Sequence, residues 1–88
     1  MSELEKYRKR IDGVDNKIID ALIERMIISK YIGTFKKQNN IPIIDEKRFD
    51  ELLQEKIKTI ASFGYDENFI TEIYNTIHKY SIKIQQEL

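Results

Sequence analysis

The chain has 88 residues, 15 basic and 15 acidic side chains, a formal net charge of zero and no cysteine. One domain spanning residues 1–88 is expected at this length. Balanced, interspersed charge argues against a nucleic-acid footprint, which needs a clustered basic excess, and without cysteine there is no disulfide, thiolate nucleophile or Cys-based metal site. Charged residues at 34%, with one proline and three glycines, favour an all-α chain. No apolar run approaches the ~20 residues of a membrane span. The opening MSELEKYRKR lacks the apolar core of a signal peptide, so a cytoplasmic location and no membrane partner are expected.

The first predicted helix runs from about Glu3 to Gln38. Leu4, Tyr7, Ile11, Val14, Ile18, Ala21, Arg25, Ile28, Ile32 and Phe35 alternate spacings of three and four, the mark of a helix packed along one seam. Gly13 and Gly33 weaken it locally, each by up to ~1 kcal/mol relative to alanine. Asn39, Asn40 and Pro42 end it. Asp45 is placed to cap a second helix reaching about Phe63, with Phe49, Leu52, Leu53, Ile57 and Ile60 apolar and Gly64 closing it. Asp66 caps a third, to about residue 87. Its expected buried side is Ile70, Ile73, Tyr74, Ile77, Ser81, Ile84 and Leu88.

Length then bears on assembly. A helix of ~35 residues is ~52 Å long, whereas a compact chain of this size has a radius of gyration of ~12 Å. The first helix must overhang the other two. Its central segment IIDALIERMII is apolar on nearly every side. One seam is expected to pack on the chain's own helices and the rest on a second copy, giving an intertwined homodimer rather than an elongated monomeric hairpin.

Several polar groups break the apolar pattern. Arg25 sits within the stripe, and Lys36 falls about 20° from it, ~16 Å along the axis. Buried cations need anionic partners, so the pair points to an anionic ligand; a structural ion pair with a glutamate is the bland alternative for Arg25. Arg8 falls about 100° away, on the face assigned to the partner chain. On the third helix, Ser81 and Gln85 are one turn apart and offer neutral hydrogen-bonding groups. Asp45 and Arg48 are three apart, hence neighbours, and read alone as a helix cap plus a local salt bridge. His78, the only histidine, reads as structural. Cations, a few neutral donors and apolar walls, with no evident nucleophile, metal or general base, suit a small apolar-bodied dicarboxylate. Catalysis there would restrain one conformer and stabilise developing charge.

The ordered set Arg8, Glu24–Arg25, I-G-x-x-K at Ile32–Lys36, P-I-I-D-E-K-R at Pro42–Arg48 and S-x-x-x-Q at Ser81–Gln85 resembles the all-helical (AroQ-type) chorismate mutase family over essentially the whole chain. The resemblance implies an intertwined helical dimer that converts chorismate to prephenate, the branch step towards phenylalanine and tyrosine. That unimolecular Claisen rearrangement needs no cofactor. It implies that Arg25 and Arg48, with Arg8 of the other subunit, bind the two carboxylates. Lys36 and Gln85 would donate to the ether oxygen, Ser81 would hold a carboxylate, and Asp45 would lie near the ring hydroxyl. Arg25, Lys36 and Gln85 are the catalytic set so implied. The family's glutamate that contacts the C4 hydroxyl is replaced by Phe49. Isochorismate-pyruvate lyase and 4-amino-4-deoxychorismate mutase activities therefore stay open beside the leading reading, as does a non-catalytic helical dimer.

Overall fold

The computed structural model describes residues 2–88 as three helices: α1 Glu3–Gln38, α2 Glu46–Ser62 and α3 Glu67–Gln86. Each start is capped by a short polar side chain. The Ser2 hydroxyl accepts from the Glu5 N–H at 3.2 Å, Asp45 Oδ1 accepts from the Arg48 N–H at 3.0 Å, and Asp66 Oδ1 accepts from the Asn68 N–H at 2.9 Å. Each cap satisfies a donor that the first helical turn leaves unpaired.

Two left-handed residues make the reversals. Gly64, at φ 80°, closes α2. The Tyr65 N–H reaches back to the Ile60 carbonyl and the Gly64 N–H to the Ala61 carbonyl, the paired bonds of a Schellman stop. After α1 the same service falls to Asn40, at φ 54°, a conformation that asparagine tolerates better than most residues. The Ile41 N–H then bonds the Lys36 carbonyl at 2.9 Å.

Helix α3 is the element on which both others pack. The molecule measures 57 × 25 × 14 Å with a radius of gyration of 16.6 Å, well above the ~12 Å of a compact chain this long. The excess is α1, which runs on alone for its N-terminal half. Leu4, Tyr7, Ile11, Val14 and Ile18 are all exposed, and no hydrophobic residue among the described ones is fully buried. The surface totals 7335 Å², where a folded monomer of this mass exposes ~5,400 Å².

The seam on α1 differs from the expected stripe. Its covered residues are Leu22, Arg25, Ser29, Gly33 and Lys36, a line turned roughly 40° from the Ile18–Ile32 line. Ile28, Ile32 and Phe35 stay exposed, and the fully buried positions are Ser29 and Gly33. The reason is steric. A Cβ on Gly33 would stand 2.6 Å from Leu88 Cδ1 and 2.9 Å from Gln85 Cγ. The helices meet where side chains are smallest, and the branched residues are left outside. Ile73 and Leu88, expected to be buried on α3, remain partly open. His78 and Ile82 are covered instead, because α3 carries a second seam, against α2.

Candidate active site

Where the three helices converge, near the C-terminal ends of α1 and α3 and the start of α2, they enclose a cleft of about 320 Å³. Helix α1 contributes Arg25, Ser29, Ile32 and Lys36. The connection and α2 contribute Ile43, Asp45, Arg48, Phe49 and Leu52. Helix α3 contributes His78, Ser81, Ile82 and Gln85. Six of the residues singled out from the sequence, Arg25, Lys36, Asp45, Arg48, Ser81 and Gln85, thus line one space. Arg8 does not. It lies 17 residues before Arg25, ~25 Å along α1, exposed and paired with Glu5 of its own helix at 3.2 Å.

The polar groups form a short network with open ends. Arg25 Nη1 donates to Ser81 Oγ at 2.8 Å, and Ser81 Oγ lies 3.1 Å from Ser29 Oγ. Lys36 Nζ donates to the Ile43 carbonyl at 2.8 Å, which ties the ammonium to the α1–α2 connection and leaves two of its three protons for another acceptor. The Gln85 amide oxygen is buried with no hydrogen-bond partner among the described residues.

Charge is unbalanced here. Among the described residues the ion pairs are Arg8–Glu5 and Lys56–Glu55, both away from the cleft. The ion pair considered for Arg25 therefore does not form within the chain, and neither does the local salt bridge expected between Asp45 and Arg48. Asp45 spends its carboxylate on the backbone cap, so the Arg48 guanidinium is free. Three cations line a space whose single acid is Asp45. Like charges gathered without counterions repel one another, and an anion with two negative groups relieves that repulsion.

The sequence reading missed two side chains of this wall. Phe49 and His78 stack face to face, centroids 3.8 Å apart and planes within 8°. His78 Nε2 is buried without a partner. Its spacing of three from Ser81 and seven from Gln85 put it on their face, so the signal was present in the pattern. Ser29, buried and bonded to Ser81, is the other. As a serine four residues after Arg25 it carried no distinguishing mark.

Comparison with known proteins gives the following likenesses. A family model for chorismate mutase type II matches residues 7–86. A chorismate mutase of Methanocaldococcus jannaschii is 29% identical over 87 residues, covering 99% of this chain and 88% of that protein. A 4-amino-4-deoxychorismate mutase of Streptomyces pristinaespiralis is 26% identical over 84 residues, covering 96% of this chain and 65% of that protein. A bifunctional chorismate mutase/prephenate dehydratase of Aquifex aeolicus is 28% identical, and this chain spans 25% of its length.

Proposed function

This chain belongs to the chorismate mutase type II family, and from that premise we propose that its cleft rearranges chorismate to prephenate. An isomerase of the chorismate mutase type, acting towards the aromatic amino acids, is what the family and the Methanocaldococcus relative support. The reading of the cleft as a dicarboxylate site rests on one observation above others: Arg25, Lys36 and Arg48 line one cleft, and among the described residues no carboxylate is paired to any of them. That suits a rigid dicarboxylate.

The reaction breaks one C–O bond and forms one C–C bond within a single molecule, and no proton or electron leaves it. The side chains therefore have two tasks. Arg25 and Arg48 grip the carboxylates through their planar forks and so select the folded conformer in which the reacting carbons meet. Lys36 and Gln85 donate to the ether oxygen as negative charge grows on it. Lys36 suits this task because the Ile43 carbonyl already holds it in place, so little reorganisation is needed as the bond breaks. A donor aimed at developing charge supplies ~2.7–4 kcal/mol. Ser81 adds a hydroxyl to one carboxylate, and Asp45 sits towards the ring hydroxyl.

The active unit in this reading is a homodimer. The chain exposes ~1,900 Å² beyond the monomer expectation. Covering that on two copies gives ~3,800 Å² of interface, inside the ~2,000–5,000 Å² range of obligate dimers. The exposed apolar half of α1 supplies the surface. Arg8, distant from its own cleft, would complete the partner's.

A second reading, 4-amino-4-deoxychorismate as substrate, is supported by Phe49, stacked on His78, at the position where the family resemblance implies a glutamate for the C4 hydroxyl, and by the Streptomyces relative. Product analysis with chorismate, isochorismate and 4-amino-4-deoxychorismate side by side tests both. Prephenate as the product from chorismate is expected. Salicylate from isochorismate without prephenate from chorismate refutes the proposal. Lys36→Met is expected to lower kcat by roughly 10²–10³-fold, and native turnover by that variant would refute the electrostatic role.

A further inference from the structure

Ser29 has no place in the roles proposed above, yet it is 4% exposed and the one buried polar residue among those described. Its hydroxyl makes a single hydrogen bond, the 3.1 Å contact with Ser81 Oγ. Neither serine bonds the carbonyl one turn back, whereas Thr59, Thr71 and Thr76 all do so. The two hydroxyls hold two protons and share one bond, so one proton lies between them and the other is free.

Which proton is free follows from burial. If Ser81 donated to Ser29, the Ser29 proton would have no acceptor among the described residues at a position only 4% exposed, and an unmet buried donor is costly. If Ser29 donates to Ser81, the buried Ser29 proton has its acceptor. Ser81 Oγ then accepts twice, from Arg25 Nη1 at 2.8 Å and from Ser29. A hydroxyl has two acceptor sites and one donor, so both Ser81 lone pairs are occupied and its only proton must point away from them. Ser81 lines the cleft, which is where an outside acceptor can meet that proton.

We infer that Ser29 is a positioning residue that fixes the Ser81 hydroxyl as a donor to a ligand carboxylate, beside the Arg25 guanidinium that binds the same group. The inference rests on the reading of the cleft as a dicarboxylate site. Without Ser29, the Ser81 proton is free to turn towards α1 or its own helix backbone, and the carboxylate meets a hydroxyl lone pair for part of the time. Because the carboxylate is bound in ground state and transition state alike, the loss falls on binding rather than on kcat.

The test is a double-mutant cycle in the full chain: Ser29→Ala, Ser81→Ala and both together. The measurements are chorismate turnover and the affinity of an oxabicyclic dicarboxylic acid that mimics the transition state. Ser29→Ala is expected to raise KM and the Kd for the diacid by roughly three- to tenfold, and Ser81→Ala by roughly tenfold, with kcat changed less. The double variant should match Ser81→Ala to within about twofold, since Ser29 acts only through Ser81. Thermal unfolding checks that each variant is folded. Ser29→Cys, a weak donor, gives an intermediate loss and serves if the alanine variant does not fold. Wild-type KM in Ser29→Ala, or losses that multiply in the double variant, would overturn the inference. A wild-type chain that neither turns over chorismate nor binds the diacid would overturn the functional reading itself, a result distinct from either.

Discussion

One substitution, glycine to alanine, is expected to act in opposite ways at two positions of α1. In a helix interior the change is worth ~0.8–1.0 kcal/mol in favour of alanine. At Gly13 nothing lies within 4 Å of the new methyl, so that gain should appear in full. For a domain of this size it raises Tm by roughly 4–8 °C, provided protein concentration is held fixed. At Gly33 the methyl would meet Gln85 Cγ at 2.9 Å and Gln85 Cβ at 3.1 Å, as well as the more pliable end of Leu88 at 2.6 Å. Restoring ordinary contact near 3.4 Å needs α3 to retreat by about 0.5 Å. Overpacking of this kind costs ~1–3 kcal/mol, which cancels or outweighs the helix gain. The net change runs from near zero to a loss of ~2 kcal/mol.

The functional consequence is larger than the stability change. Gln85 moves with α3 while Lys36, tied to the Ile43 carbonyl, stays with α1, so the two proposed donors separate. Misplacement by 1 Å can cost ~10²-fold in rate, and half that distance suggests roughly tenfold in kcat. Circular-dichroism melts and steady-state turnover of both variants are sufficient. Native kcat in Gly33→Ala would refute the claim that close approach of the helices positions Gln85. A lowered Tm in Gly13→Ala would show that the open space beside Gly13 is filled in the assembled protein.

Two further outcomes test the site and the assembly. Asp45→Ala should lose ~1 kcal/mol of stability with the helix cap, whereas Asp45→Asn, an equally good cap, should melt as the wild type does; any loss of activity in the asparagine variant then reports the carboxylate's role at the ring hydroxyl and not the cap. Arg8→Ala and Arg25→Ala homodimers should each be nearly inactive, but subunits mixed in equal amounts and allowed to exchange should recover about a quarter of native activity, because one site in four regains both arginines in a two-fold dimer. No recovery on mixing, with exchange verified by mass, would place Arg8 outside the partner's site.

The three helices and their ends were legible because their causes are local. Asp45 and Asp66 cap through their own neighbours, Gly64 supplies a positive φ, and Asn39 to Pro42 interrupt the helical period. Ser2 and Glu5 form a cap that was equally readable and not singled out. The candidate site was legible for a different reason. A cation on an apolar stripe is a conflict between charge and burial, and Arg25 and Lys36 stood out by it. His78 did not, because a lone histidine on a helix face takes its meaning from what lies opposite, here the ring of Phe49.

Helical period, caps, the charges set into the apolar face and the length of α1 follow from residues close together in the chain, and the sequence by itself determined them. Tertiary structure decided the rest. It turned the α1 seam from the line of branched side chains to Ser29 and Gly33, since helices approach most closely where side chains are smallest. It bound Asp45 to a backbone N–H and left Arg48 free, and it bonded Ser29 to Ser81 across 52 positions. Such contacts depend on which faces meet, and no spacing within one helix specifies the face of another.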